Sequence, residues 1–471
     1  MMRSLFSGVA GLKTHQTRMD VIGNNIANVN TTAYKSQSMT FSDLMYQTTQ
    51  AASGANTTTG VGGVNARQIG LGSKTAAIKT AISSQGAAQS TNDPFDIMIS
   101  GDAFFIVSNG SENFFTRDGS FYIDGKGNLA MTSTGYNVMG WQVDPSNPGN
   151  IKRDVVTPLR IMTEENMTYP PEATTKATVS GIVDKFDTDI KGTSGRIMDL
   201  EIYDNQGYKY TVRMSVHGND GDVDEGKFYV QLDDVIDADG KSIAKDANGN
   251  LLAAFKFEDG ATKGPNANSI TLNYAEGKGT FQGVGEASRG TDAEVGKSSV
   301  MLQLGGLANF PAQIELDFSA TFNYNKNGTS TISPIRGIVP PEGGDDGSGR
   351  AIGEMSGITI QKDGLIYASY DNGQRRLLGQ ISTATFPNAS GLAKEGDNLY
   401  SATLNSGDFD GIGEDITVGG GRMEAGVLEM SNVDLSAEFT EMITTQRGFQ
   451  ANSRIITVSD TLLEELTNLK R

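Results

Sequence analysis

Apolar residues return at every seventh position at both ends of the chain. Near the start, Leu5, Leu12, Met19 and Ile26 follow this spacing, with Ile22 and Val29 interleaved. Near the other end Leu435, Met442, Phe449, Ile456 and Leu463 do the same, and Phe439, Ile455, Leu462, Leu466 and Leu469 widen the face. Each pattern predicts one amphipathic helix with a single apolar stripe. The first helix is weak in isolation. Gly8, Gly11 and Gly23 lie inside it, each costing about 1 kcal/mol relative to Ala, and His15 sits on its stripe. The second helix is better built: it opens at Ser431 to Asp434, carries Glu438 and Glu441 near its positive end, and closes on Lys470 and Arg471, complementing the dipole. A helix that is poor alone yet keeps a stripe needs a partner surface, and the far terminus supplies one.

Between the termini the pattern changes to short alternating runs and turn residues. Asn24 to Lys35, NNIANVNTTAYK, offers side-chain groups that compete with helical backbone bonds, so the first helix ends there. Met39 to Thr91 is polar and small and reads as an extended arm, with strands around Ala66 to Ile69 and Thr75 to Ile82. From Asp93 to Trp141 strands alternate with turns at Asn109-Gly110, Asp118-Gly119 and Asp124-Gly125. A second strand-rich stretch covers Ile358 to Met430, and Thr174 to Ile338 holds hairpin-like segments of its own. Pro170-Pro171 precedes that central block and Pro340-Pro341 follows it, so two stiff pairs mark an inserted domain and are hinge candidates. The expected fold is mainly β with α-helical termini and nested β-rich domains. Its parts are a helix over 1–45, an arm over 46–92, the first part of an inner β-domain over 93–169, an inserted outer β-region over 170–345, the second part of the inner domain over 346–430, and a helix over 431–471.

Composition narrows the function. At 471 residues the chain is too long for a single core. It has no Cys, and its only two histidines are His15 and His217, so a thiolate metal site, a cysteine nucleophile or a His-based triad has little to be built from. A net charge of -18 argues against nucleic acid and anionic lipid as partners. Gly accounts for 58 residues, well above the usual share of about 7%, as many tight turns require. No run of about 18 apolar residues occurs, which excludes a membrane-spanning helix, and the start has no apolar core of a Sec signal. Gly70 to Thr75, GLGSKT, lacks the glycine and lysine spacing of a phosphate loop. Asp237-Ala-Asp-Gly and Asp246-Ala-Asn-Gly lack the closing Glu of a calcium loop and read as turns. No cofactor, metal or catalytic residue is expected.

Four ordered stretches carry a resemblance. NNIANVNTTAYK, DPFDIMISGDAFFIV, FTRDGSFYIDGKGNLAMTSTGYNVMGW and SNVDLSAEFTEMITTQRGFQANSRIITVSDTLLEELTNLKR resemble the axial proteins of the bacterial flagellum, the rod and hook family. Ala33 stands where many of those proteins have Gly. The large central block, with YASYDNGQRRLLGQI and FPNASGLAKEGDNLYSATLNSGDF, resembles the hook branch of that family. The resemblance implies terminal helices paired as a coiled coil and copies joined in an open helical homopolymer, a curved tube that transmits torque as a flexible joint. It also implies export through the flagellar type III apparatus without a cleaved Sec signal, an extracellular location, and the distal rod, hook cap and hook-filament junction proteins as partners. The helix-stripe residues Leu5, Leu12, Met19, Ile22, Ile26, Val29, Leu435, Phe439, Met442, Phe449, Ile456, Leu463 and Leu466 are then assembly contacts. Asn24, Asn25, Asn28, Asn30, Thr31, Tyr34 and Lys35 form the elbow between helix and arm. The competing readings are another axial protein, distal rod or hook-associated, and a secreted β-rich enzyme or adhesin.

Overall fold

A computed structural model of the chain describes residues 2–54, 60, 62–144, 146–218, 222–223, 226–258, 268–285, 297–305, 310, 313–337 and 346–469. Pro340, Pro341, Lys470 and Arg471 lie outside the described residues. The chain forms two compact units, one of Met1–Asn166, Gly357–Ser369 and Arg375–Arg471, the other of Met167–Ser356 and Tyr370–Gln374.

The first unit contains both terminal helices, Met2–Ala27 and Leu435–Asn468. Asp434 caps the second, its carboxylate accepting from Ser436 N (2.8 Å) and Ala437 N (3.3 Å), which satisfies N–H groups that the first turn cannot. The arm begins at Gln37, inside the stretch assigned from sequence to the helix, because Asn25 catches the backbone of Gln37 and starts an extended strand there. It is an antiparallel ribbon of two consecutive pairings, Gln37–Asp43 with Ser73–Thr80 and Tyr46–Gln50 with Arg67–Gly70. The strand Tyr46–Gln50 is exposed along its whole length, in keeping with a segment too small-sided to fill a core.

The β-body of the first unit is completed by two distant stretches of chain. Asn137–Asp144 pairs with Phe104–Ser108 at one end and with Arg375–Ile381 at the other. Leu399–Ser401 pairs with Asn113–Thr116, and Arg422–Ala425 with Ile97–Ser100. Phe104, Ile106, Phe115, Trp141 and Tyr400 form its core. Trp141 buries its ring and gives its indole N–H to Asp154 O (3.1 Å) and Ile412 O (3.0 Å), as a buried indole requires.

The second unit holds two five-stranded sheets. Strands of both, among them Lys176–Ile182, Gln313–Phe322, Lys209–His217 and Lys227–Asp237, feed one continuous core that includes Val179, Leu316, Phe318, Val212, Met214 and Phe228. The period-two burial along Lys227–Asp237 is what a strand with one face on that core gives. Pro170 and Pro171 belong to this unit, next to Glu172, which bridges to Arg350 in backbone and in side chain. The chain crosses between units at Asn166–Met167 and Ser356–Gly357, and again at Ser369–Tyr370 and Gln374–Arg375.

One turn design recurs in both units. Asp124, Asp204, Asp237 and Asp246 each accept, on Oδ1, the N–H groups two and four residues ahead. A glycine at the third position has positive φ, from 80° to 85°. The carboxylates of Asp237 and Asp246 are thereby committed to their own backbones.

Candidate self-assembly surface

The two terminal helices run antiparallel along a seam made of small and polar residues. Ser4 Oγ lies 3.4 Å from Ser459 Oγ, Arg18 pairs with Glu441 at 3.0 Å, and Asn25 Nδ2 donates to Glu438 Oε1 at 2.8 Å. Between these points glycines allow close approach. A Cβ on Gly8 would meet Ile456 at 3.2 Å, one on Gly11 would meet Asn452 at 2.7 Å, and one on Gly448 would meet the His15 ring at 2.6 Å. Of the three glycines that weaken the first helix in isolation, Gly8 and Gly11 are therefore those that seat it on the second.

The apolar stripes, expected to be assembly contacts, take little part in this seam. Ile22 is buried in the seam, while Leu5, Leu12, Met19, Ile26 and Val29 are half-buried along its flank. On the second helix Met442, Ile456 and Leu463 are half-buried, whereas Leu435, Phe439, Phe449 and Leu466 are exposed, Phe439 by 50%. Ile443, Ile455, Val458, Leu462 and Leu469 are exposed as well, and so are Met2, Phe6 and Val9 on the first helix. The physical reason is spacing. The columns of Gly8, His15 and Ile22 and of Gly11, Arg18 and Asn25 keep the same seven-residue period as the apolar column, and the smaller side chains permit the closer fit. The helix pair thus leaves large apolar faces turned outward.

At the elbow the asparagines do structural work. Asn25 has no exposed surface. Its Oδ1 accepts from Gln37 N (3.0 Å) and Tyr34 Oη (3.2 Å), and its Nδ2 also donates to Gln37 O (2.8 Å). Asn24 donates to Tyr34 Oη (3.1 Å), Asn28 donates to Asn24 O (2.9 Å), and Thr31 donates to Asn28 Oδ1 (3.1 Å). Asn30 is exposed and stands outside this network. Ala33 adopts φ of 54° and donates its N–H to Glu429 O (2.7 Å). Burial raises the Tyr34 hydroxyl and Glu438 carboxyl above their ordinary values, so the phenol is held as a donor.

Lys35 completes the elbow in the interior. Its Nζ donates to Glu429 Oε1 and to Ser84 O, both at 2.7 Å. Glu429 also accepts from Gly86 N (2.8 Å) and lies 4.0 Å from Arg117 Nη1. Arg117 donates to Gly101 O (2.5 Å) and stacks over the Phe104 ring. Burial pulls both cations below their ordinary values, against the opposing pull of Glu429. Asn432 accepts from Ser36 N (2.7 Å) and donates to Ala81 O and Ser84 O. One knot therefore ties elbow, arm, β-body and the approach to the second helix. Sequence reasoning missed Glu429, Arg117 and Asn432, and placed Glu438 only at the start of the second helix without its bond to Asn25. The one local signal was Glu429, a lone charge in the strand-like run Val427 to Met430.

Three family profiles match the chain, in order. Residues 5–35 match the flagella basal body rod protein family, residues 98–181 the flagellar hook protein FlgE/F/G D1 domain, and residues 424–469 the C-terminal region of flagellar basal body rod FlgEFG proteins. The first covers the glycines of the first helix and the elbow, the second the first part of the β-body and the start of the second unit, and the third Glu429, Asn432 and the long helix. The class they define is the axial subunits of the bacterial flagellum. Among curated relatives, the flagellar hook protein FlgE of Treponema pallidum (strain Nichols) is 33% identical and that of Borreliella burgdorferi 35% identical, each over the full length of both chains. The chain belongs to the flagellar hook protein family. The flagellar basal-body rod protein FlgG of Bacillus subtilis (strain 168) is 29% identical, also over the full length of both. A crystal structure of Helicobacter pylori flagellar hook protein FlgE2 covers 73% of this chain and 100% of its own, with a TM-score of 0.43 at 13% identity.

Proposed function

We propose that this chain is the repeating structural subunit of the hook, joining copies of itself into a curved tube that passes torque from rod to filament as a flexible joint. The observation that carries this is the helix pair. Its seam is closed with Gly8, Gly11, Gly448 and polar side chains, while Phe6, Phe439, Ile443, Ile455 and Leu462 face water. Exposed apolar patches of this kind mark interaction sites, and a head-to-tail contact whose rotation does not close extends as an open helix, giving a tube. The exposed columns of the second helix, with the flanking residues Leu5, Leu12, Met19 and Ile26, are the assembly contacts, and Asn24 to Lys35 fixes the angle between helix and arm. Bending of a rotating tube requires the outer units to slide past one another, and the crossings next to Pro170 and Pro171 are the hinges.

Export through the flagellum's own type III apparatus is the route that delivers such a subunit to the growing end of the tube. Rod, cap and hook-filament junction proteins are the neighbours at the ends of such a tube, and the assembled subunit is extracellular. A structural role needs no catalytic residue, metal or cofactor. The likeness to a rod protein supports a second reading, a distal rod subunit, which would assemble into short straight segments.

Negative-stain electron microscopy of the purified chain and of Phe439→Asp under polymerising conditions tests the proposal. Curved tubes from the first and none from the second are expected, with identical circular dichroism of the two monomers because Phe439 is exposed. Equal polymerisation of both would remove the outward face from the mechanism, and short straight rods would favour the rod reading.

A further inference from the structure

Residues 403–407 of the first unit form a turn held rigidly. Thr403 N donates to Ser406 Oγ (2.8 Å) and Ser406 N to Thr403 O (3.1 Å). Thr403 Oγ1 donates to Gly391 O (2.6 Å), and Asn388 Nδ2 to Asn405 O (2.9 Å). Ser406 is 1% exposed. At the tip, Leu404 stands entirely in water, at 104% relative exposure. Exposure of a whole leucine side chain is unfavourable, and a mobile tip would let it fold back onto its own surface. These bonds prevent that, so the turn presents Leu404 outward.

Elsewhere on the same unit is an open groove of about 410 Å³ whose walls include Pro94, Ile358, Ile360, Ala425 and Val427. A second open pocket shares Ile360 with it and is lined by Lys362, Asp363 and Arg422. Arg422 is paired with Glu424 at 2.8 Å, whereas Lys362 is exposed and has no ion pair among the described residues. The knob has the opposite character. Asp408, four residues after Leu404, is exposed and likewise has no ion pair among the described residues, and no Lys or Arg occurs from residue 395 to residue 410.

We propose that the Leu404 turn of one copy seats in the groove between Ile358 and Val427 of a second copy, with Asp408 facing Lys362. The inference rests on the self-assembly reading above and adds to it a contact between β-bodies, separate from the helices. Knob and groove are different surfaces of one chain, so joined head to tail the contact repeats from copy to copy, as an open tube requires. The apolar tip supplies burial and the charge pair supplies register.

The absence of Cys from the natural chain makes the test direct. Leu404→Cys is labelled with a maleimide in monomer and in polymer, and labelling at least about tenfold slower in polymer is expected when the site is covered. Leu404→Cys combined with Ile360→Cys, oxidised in the polymer, should give a ladder of disulfide-linked oligomers that neither single variant gives. Lys362→Glu and Asp408→Lys should each raise the critical concentration for polymerisation, and the double exchange should lower it again. Equal labelling rates in monomer and polymer, or no ladder from the double variant, would overturn the contact while leaving self-assembly standing. Failure of the unaltered chain to polymerise under any seeding would overturn the self-assembly reading and this contact with it.

Discussion

Lys35 Nζ and Glu429 Oε1 meet at 2.7 Å with their side chains 1% and 0% exposed. Nearly 400 residues of chain separate them, so this pair closes the loop that brings the approach to the second helix back to the end of the first. Taking two charges out of water is costly, and their attraction offsets that cost only while both are present. Arg117, equally buried, adds a second cation to the same carboxylate.

Removal of one partner should therefore be worse than removal of both. Glu429→Gln removes the main counter-charge of Lys35 and Arg117, leaving them only the weaker pull of Asp102, and is expected to destabilise the first unit by about 3–5 kcal/mol. Lys35→Met combined with Glu429→Gln should recover part of that loss. Urea unfolding of the monomers, arranged as a double-mutant cycle, measures it, and additive losses from the two single changes would show that the pair is not coupled.

The glycines of the helices divide into two kinds. Nothing lies within 4 Å of a Cβ placed on Gly23, so Gly23→Ala should stabilise the first helix in the monomer by about 0.5–1 kcal/mol. Gly448→Ala would place a methyl 2.6 Å from His15 Cε1, where the ring is already held edge-on by Phe41 at 5.6 Å. Overpacking of about 1–3 kcal/mol should outweigh the gain in helix propensity. Thermal melts followed by circular dichroism should move in opposite directions for the two variants.

Much of this fold was legible in the sequence because its signals are local. The heptad spacing of Leu435, Met442, Phe449, Ile456 and Leu463 identifies a helix wherever its partner lies, and Asn24 to Lys35 locates the elbow from side-chain chemistry alone. The choice of seam was not legible. Columns of Gly8 and His15 and of Leu5 and Leu12 have the same period, and only the facing Asn452 and Gly448 decide between them. The knot around Glu429 was hidden for a related reason: Lys35, Arg117 and Glu429 lie in three separate segments, and each by itself reads as a surface charge. The first crossing between units falls at Asn166, a few residues before Pro170 and Pro171, and the pairing of Glu172 with Arg350 holds both prolines in the second unit.

His15 gives the helix seam a pH dependence. Its Nδ1 is buried with no hydrogen-bond partner among the described residues, and burial, followed by the nearby Arg18 cation, lowers its pKa below the ordinary 6.5. Glu441, on the facing helix, is engaged with Arg18. Below pH 6.5 the unfolded state binds the proton more readily than the folded one, so stability rises with pH across this window. The contribution is complete above pH 6.5 and is lost as pH falls toward the lowered folded value. With only two histidines in the chain, an NMR titration resolves His15 directly. His15→Gln should flatten the slope of melting temperature between pH 5 and pH 7, and an unchanged slope would assign it to other groups.

Ala33 turns the elbow in the left-handed region, at φ of 54°, where a side chain with a Cβ is strained by roughly 1 kcal/mol. Its N–H bond to Glu429 O and its 2% exposure fix that conformation. Glycine would relieve the strain at the cost of a more flexible unfolded chain and one lost methyl, so Ala33→Gly should change monomer stability by no more than about 1 kcal/mol, on the stabilising side. A β-branched residue can do neither: Ala33→Val crowds its own backbone at positive φ and has no room in the buried elbow. Its loss should exceed about 2 kcal/mol and should take the Lys35–Glu429 pair with it, since Ala33 and Lys35 reach the same glutamate. Urea unfolding of Ala33→Gly and Ala33→Val, each alone and combined with Glu429→Gln, separates the two effects. If the elbow and the ion pair act as one unit, the Val and Gln losses will sum to more than the double variant shows.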